Sequence, residues 1–152
     1  MFNKIIVATD GSERSMRTAK VAGNLACKHP GCAVYVLHVF HELPTFVTSM
    51  LENANIHYGS QMKENAKEVF NKTVEALGVD LHDVEVHTIL EYGKPAKKIL
   101  KLAKEVDADL IVIGNSNISE AEEFLTGSGI SHKVLHHSPC HVLVVQSDAP
   151  GA

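Results

Sequence analysis

Between Ile113 and Gly129 the chain reads IGNSNISEAEEFLTGSG, a stretch that follows a short apolar run and precedes a segment with helical spacing. Gly114, Gly127, Ser128 and Gly129 suit anion binding. Backbone N–H groups at a helix start point toward negative charge, the helix dipole helps them, and glycine lets the backbone approach closely. The same Gly-Ser pattern equally describes a plain helix N-cap with a flexible entry. Glu120, Glu122 and Glu123 place three carboxylates in this stretch, and these oppose a bound anion,.

The other residues able to do chemistry are fewer. Asp10, in TDGSERS, is the obvious polar group at a strand end, and spacing pairs no nucleophile with a base, so no catalytic residue is assigned,. Ser128 is a conceivable phosphoryl acceptor, though capping a helix is its ordinary job. His132 and His136 share one helical face, with His137 and His141 near in sequence, but no cysteine or carboxylate completes a ligand set, so no metal site is assigned,. His38 and His87 fall within strands, where they read as hydrogen-bonded packing residues, His38 with a place in a pocket lining.

The elements that must position these residues follow from periodicity. Five apolar runs, KIIVAT, AVYVLHV, VEVHTIL, LIVIG and HVLVV, are short and rich in β-branched residues and predict five strands,. Helices are predicted over Ser12 to Lys28, over the stripe Met62, Ala66, Val69, Phe70, Val74 and Leu77 ended by Gly78, from Pro95 onward, and from about Ser128 to His137,. Lys94, Lys97, Lys98, Lys101 and Lys104 form the solvated face of the third of these, opposite Ile99, Leu100, Ala103 and Val106,. Residues 41 to 60 read as a mobile connection, with a helix starting around Met50, and as a candidate lid or partner surface. Strict alternation of strand and helix implies an α/β fold: a mostly parallel sheet covered on both faces. Ligands in such sheets bind beyond the carboxyl ends of the strands, which points to TDGSERS, VFHE and the stretch after strand four.

Size and composition narrow the function. A chain of 152 residues fits one domain with its own core, and 45% hydrophobic with 21% charged residues is the balance of a soluble globule,. No run approaches the length of a membrane span, and MFNKIIVATDGSE lacks a secretory signal, so a cytoplasmic location is expected,. A net charge of -4 argues against nucleic acid as a partner,. Cys27, Cys32 and Cys140 have no metal-ligand spacing and read as small buried hydrophobes,. TDGSERS matches neither G-x-G-x-x-G nor G-x-x-x-x-G-K-[ST], and no lysine follows HVLVV, so a dinucleotide fold, a Walker-type NTPase and a phospho-accepting receiver are set aside,.

From KIIVATDGSERS through LHV, GKPAKKI, DADLIVIGNS and TGSGISHKVLHHSPCHVLVV, about 145 residues, the chain resembles the universal stress protein family. The resemblance implies a universal stress protein domain over residues 1–147 with a short tail, 148–152. It implies an open five-stranded parallel sheet in the order 3-2-1-4-5, Rossmann-like and similar to the adenine nucleotide alpha hydrolases. It also implies a homodimer paired through the last strand, an unidentified regulatory protein partner, and an ATP-binding branch marked by G-x2-G-x9-G-[ST]. Gly114 matches the first glycine of that motif and Gly127 with Ser128 the final pair, while Asn117 stands at the middle glycine. Asparagine tolerates left-handed backbone better than other side chains. Anchoring instead on SHKVLHHSPC puts Ser128 and Gly129 at the final pair, a loop one residue longer.

By the same resemblance Asp10 lies beside the adenosine or its metal, Ala8 and Thr9 form the pocket floor, and Val39 offers backbone groups to the adenine edge. ATP, AMP or ADP, with Mg as an optional companion, is the implied ligand. The acidic residues of the loop favour weak or metal-dependent binding. A nucleotide-free dimeric interaction module of the same fold is the alternative.

Overall fold

The structure, a computed structural model, describes residues 1–40, 44–115 and 129–146. Its strands are β1 (Lys4–Ala8), β2 (Ala33–Phe40), β3 (Glu85–Tyr92), β4 (Leu110–Gly114) and β5 (His141–Val145). They form one parallel sheet in the order β3-β2-β1-β4-β5. Side chains alternate across a strand, so each inner strand feeds two cores. Ile5, Val7, Val34, Val36, Leu110 and Val112 face one side, and Ile6, Leu37, Ile111 and Ile113 the other.

Helices α1 (Glu13–Ala26) and α3 (Tyr58–Leu77) cover the first face, while α4 (Pro95–Val106) and α5 (Ile130–His137) cover the second. The Ser12 hydroxyl caps α1 by accepting from Ser15 N at 3.2 Å,. Small residues, Ala19, Ala22 and Ala26, face the sheet and let α1 lie close to it. The predicted α3 stripe is right in phase, with Ala66 and Leu77 buried and Met62, Val69, Phe70 and Val74 half-buried, while Thr73, absent from the predicted stripe, is buried as well. On α4 Lys94, Lys97, Lys101 and Lys104 are exposed as expected, whereas Lys98 is half-buried and pairs with Glu91 at 3.5 Å. Leu102 is buried with Ala96, Ile99 and Ala103, and Leu100 and Val106 pack half-buried against them.

Two readings of the sequence need correction. The segment after β2 holds a helix from Thr45 to Asn53, here α2, beginning five residues before Met50. Pro44 sits at its N-cap, where a fixed φ and a missing N–H do no harm, and its carbonyl accepts from Val47 and Thr48,. Gly59 lies inside the first turn of α3, so it does not mark a loop. Among the cysteines Cys32 is buried and Cys140 half-buried, but Cys27 is exposed because the chain leaves α1 there.

One carboxylate fixes where the sheet begins. Asp109, just before β4, accepts from the backbone N–H groups of Asn3 (2.8 Å) and Lys4 (2.9 Å) through Oδ2, and its own N–H donates to Lys4 O at 2.9 Å. The Asn3 carbonyl in turn accepts from Ala33 at the head of β2.

Among the described glycines the backbone is most closely approached at Gly23, where a Cβ would stand 1.8 Å from the carbonyl oxygen of Leu77 at the end of α3. The obstructing atom belongs to backbone and cannot rotate away, so an added methyl has to drive the helices apart. Gly23→Ala is therefore expected to destabilise the protein by about 2–4 kcal/mol despite its better helix propensity. Urea unfolding checks this, and a variant as stable as the wild type contradicts the close crossing.

Candidate functional site

The strand order reverses between β1 and β4, and at such a point the loops leaving the two strands part to open a crevice,. Here the crevice is a cleft of about 480 Å³ across the carboxyl ends of β1, β2 and β4. Ala8, Thr9 and Asp10 contribute from β1 and its loop, Val39 from β2 and Gly114 from β4.

The floor is held by hydrogen bonds that follow from donor counting. The Thr73 hydroxyl donates its single proton to Val69 O at 2.7 Å, so at 2.9 Å it accepts from the Thr9 hydroxyl, which takes the Gly11 N–H at 3.3 Å,. The Thr9 N–H continues the ladder to Leu37 O at 2.9 Å. Its carbonyl accepts from His38 Nδ1 at 2.8 Å, which fixes the tautomer of that buried ring with the proton on Nδ1,. His38 is thus a packing residue that also lines the cleft.

Asp10 sits in a turn tied to the start of α1. Its Oδ1 accepts from Ser12 N at 2.9 Å and from the Ser15 hydroxyl, while the Ser15 oxygen accepts from Asp10 N at 3.0 Å. Gly11 takes φ +82 there, and a Cβ on it would meet Val69 Cγ2 at 2.8 Å. The turn therefore needs glycine for both its backbone and its contact with α3.

Val39 presents backbone edges to the cleft for a geometric reason. In a parallel sheet the N–H and C=O of a residue point to one neighbour and those of the next residue to the other. Gly93 N bonds Phe40 O on the β3 side at 2.8 Å. The peptide groups of Val39 consequently face the side of β1, which has already ended at Ala8.

Gly114 is a packing position. A Cβ there would lie 2.9 Å from Thr18 Oγ1 and 3.5 Å from Arg14 Cγ, so this glycine admits α1 against β4. Gly129 is the N-cap of α5, with φ -57 and no side-chain cap, and its carbonyl accepts from Lys133 N at 3.1 Å. It adjoins Ile130, which lines the cleft, without lining it itself. Asn117, Gly127 and Ser128, with Glu120, Glu122 and Glu123, lie outside the described residues.

Several lining residues escape sequence reasoning. Arg14 and Ser15 follow Asp10 closely and could have been suspected from TDGSERS, but Tyr58 and Met62 on α3, Pro95 and Ile99 on α4, and Ile130 reach the cleft only through packing. The His132 and His136 rings are 4.3 Å apart on an exposed face of α5, and no group of three or more metal-binding side chains gathers among the described residues. His87 stacks on Tyr35 and contacts Glu85 at 2.8 Å. No helix among the described residues is long and apolar enough to cross a membrane.

A sheet in this order with a cleft at its switch point defines a Rossmann-like α/β protein whose cleft lies at the strand ends, where open parallel sheets generally bind ligands,. The chain belongs to the universal stress protein family, whose model matches residues 1–146. It is 35% identical to universal stress protein YxiE of Bacillus subtilis over 150 residues, which cover 96% of this chain and all of that protein. It is 33% identical to universal stress protein MJ0531 of Methanocaldococcus jannaschii over 146 residues, covering 96% of this chain and 83% of that one. Among solved structures it resembles a universal stress protein in complex with cAMP, at 26% identity and a TM-score of 0.64, over 95% of this chain and 96% of the other.

The Asp10 carboxyl has a displaced titration. Burial pushes it up, but hydrogen bonds from Ser12, Ser15 and the backbone outweigh burial and hold it below its ordinary value of 3.8,. A depressed folded-state value means that ionised Asp10 stabilises the fold above pH 3.8, and that this contribution fades as pH falls through the lower folded value,. Asp10→Asn is expected to be less stable than the wild type near neutral pH, with the gap closing in acid. Urea unfolding as a function of pH measures it, and a gap that does not change with pH would falsify the assignment.

Proposed function

We propose that the cleft binds an adenine nucleotide, ATP, ADP or AMP, and that occupancy changes the contacts this protein makes with a regulatory partner. The observation that carries the reading is the overhang of β2 beyond β1. It sets the peptide edge of Val39 beside apolar walls from Met62, Pro95 and Ile99, and leaves Thr9, Asp10 and Ser12 at a polar end. A heterocycle with donors and acceptors on its rim fits the first part. A ribose fits the second, where a carboxylate kept ionised accepts hydroxyl protons,. The volume lies in the range of small-molecule sites,. That a similar solved structure is a complex with cAMP supports the adenine choice.

Asp10, together with phosphate oxygens, suits Mg²⁺, which commonly takes one or two carboxylates plus phosphates. We assign binding and not turnover. Among the described lining residues the Ser15 hydroxyl is committed to the Asp10 turn and Ser12 to the helix cap, so neither is poised as a nucleophile,.

Titration calorimetry with AMP, cAMP and ATP, with and without Mg²⁺, tests the reading. Asp10→Ala is expected to weaken nucleotide binding by about tenfold, the worth of a charge-assisted hydrogen bond. Equal affinity for wild type and variant would remove Asp10 from the site.

We further propose that two copies pair through β5. Among the described residues this strand has β4 on one side and no strand on the other, and Leu143 on it and Leu135 on α5 are exposed, with 36% and 52% of their surface open,. Sedimentation is expected to give twice the 16.5 kDa chain mass, and Leu143→Lys the single mass. A wild-type protein that sediments as one chain at micromolar concentration contradicts the pairing.

A further inference from the structure

The polar end of the cleft contains a cation that the family motif does not specify. Arg14, in the first turn of α1, is the one lysine or arginine among the described lining residues. Its stem crosses Gly114, with Cγ and Cδ 3.5 and 3.6 Å from where a Cβ would be, and its Nη1 donates to Asn115 O at 3.0 Å. The guanidinium therefore stands between the Asp10 turn and the exit of β4. Asn115 is itself anchored, its N–H to Val145 O at 3.0 Å and its side chain to Gln146 Oε1 at 2.8 Å. Arg14 is held in place against a fixed strand end and does not sweep through solvent.

A phosphorylated ligand in this cleft meets an electrostatic difficulty. Asp10 stays ionised, and the only formal positive charge among the described lining residues is Arg14. A guanidinium is planar, its N–H donors match phosphate oxygens, and it keeps its charge at every physiological pH; in Arg14 the Nε is buried and Nη1 is given to Asn115 O,.

Resting on the adenine nucleotide reading above, we propose that Arg14 is the phosphate-recognition residue of the cleft and makes it select nucleotides over nucleosides. Gly114 has a part in this. By lacking a side chain it gives the Arg14 stem its path to the strand ends. The carbonyl of Asn115 holds the head in position before the ligand arrives, which reduces the ordering needed on binding.

The test compares AMP with adenosine by titration calorimetry on wild type, Arg14→Gln and Arg14→Lys. Wild type is expected to prefer AMP, with the preference shrinking as salt is raised. Arg14→Gln should lose about tenfold or more in AMP affinity while adenosine stays within about twofold, and Arg14→Lys should recover part of the loss. An equal loss for both compounds makes Arg14 a mere latch on Asn115 and overturns the inference. So does no loss for AMP. In both of those cases wild-type binding of adenosine leaves the reading of the cleft intact, whereas wild type that binds neither compound removes both. The salt dependence of the wild-type preference needs no variant, and a preference unaffected by salt also counts against Arg14.

Discussion

The site exists because β1 stops at Ala8 while β2 beside it runs on to Phe40. Where one parallel strand ends early, the peptide groups its neighbour turned toward it lose their partner and must bond elsewhere or stay available. Thr9 absorbs most of that mismatch. Its N–H goes back to Leu37, its carbonyl is taken by the His38 ring, and its hydroxyl joins a chain to Thr73 and Val69 on α3. The floor is thereby satisfied from within, and the edge of Val39 has no backbone partner from β1 among the described residues. That division, a saturated base under an unsaturated rim, is the physical content of the cleft.

Glycines in nucleotide motifs are usually credited to the ligand. In this chain the first of them is also a packing residue, since Thr18 and the stem of Arg14 occupy the space beside Gly114. The helix lies close enough to β4 for its first turn to serve the cleft, and Ser12, Arg14 and Ser15 all do. A residue that looks like open room for phosphate is thus where a helix is admitted, and the helix brings the charge.

Much of this was legible from residue patterns, and the gaps have physical reasons. The five strands were readable because each apolar run is short and bounded by helical segments or turns, and the parallel sheet followed from alternation. Their order was not readable from periodicity and came from family resemblance, because nothing local says which strands are neighbours. The start of α2 was missed since Pro44 reads as a breaker in isolation, whereas at an N-cap it is harmless. Thr73 was overlooked inside an apolar stripe because its hydroxyl is bonded within its own helix and so buries like valine. Ala8, Thr9, Asp10, Val39 and Gly114, grouped by the family resemblance, all line the cleft at the strand ends. Arg14 was not, as its role depends on α1 meeting β4 a hundred residues away in sequence.

Asp109 gives the sheet a datum line at the end remote from the cleft. By gripping the amides of Asn3 and Lys4 with one oxygen, it fixes how far β1 is advanced along β4. Slippage by a single rung would move β1 by about 3.3 Å and turn Ile5 and Val7 to the wrong side. It would also raise or sink the threshold formed by Ala8. The depth of the binding chamber is consequently gauged from the opposite rim of the sheet, by a carboxylate that no ligand in the chamber could touch.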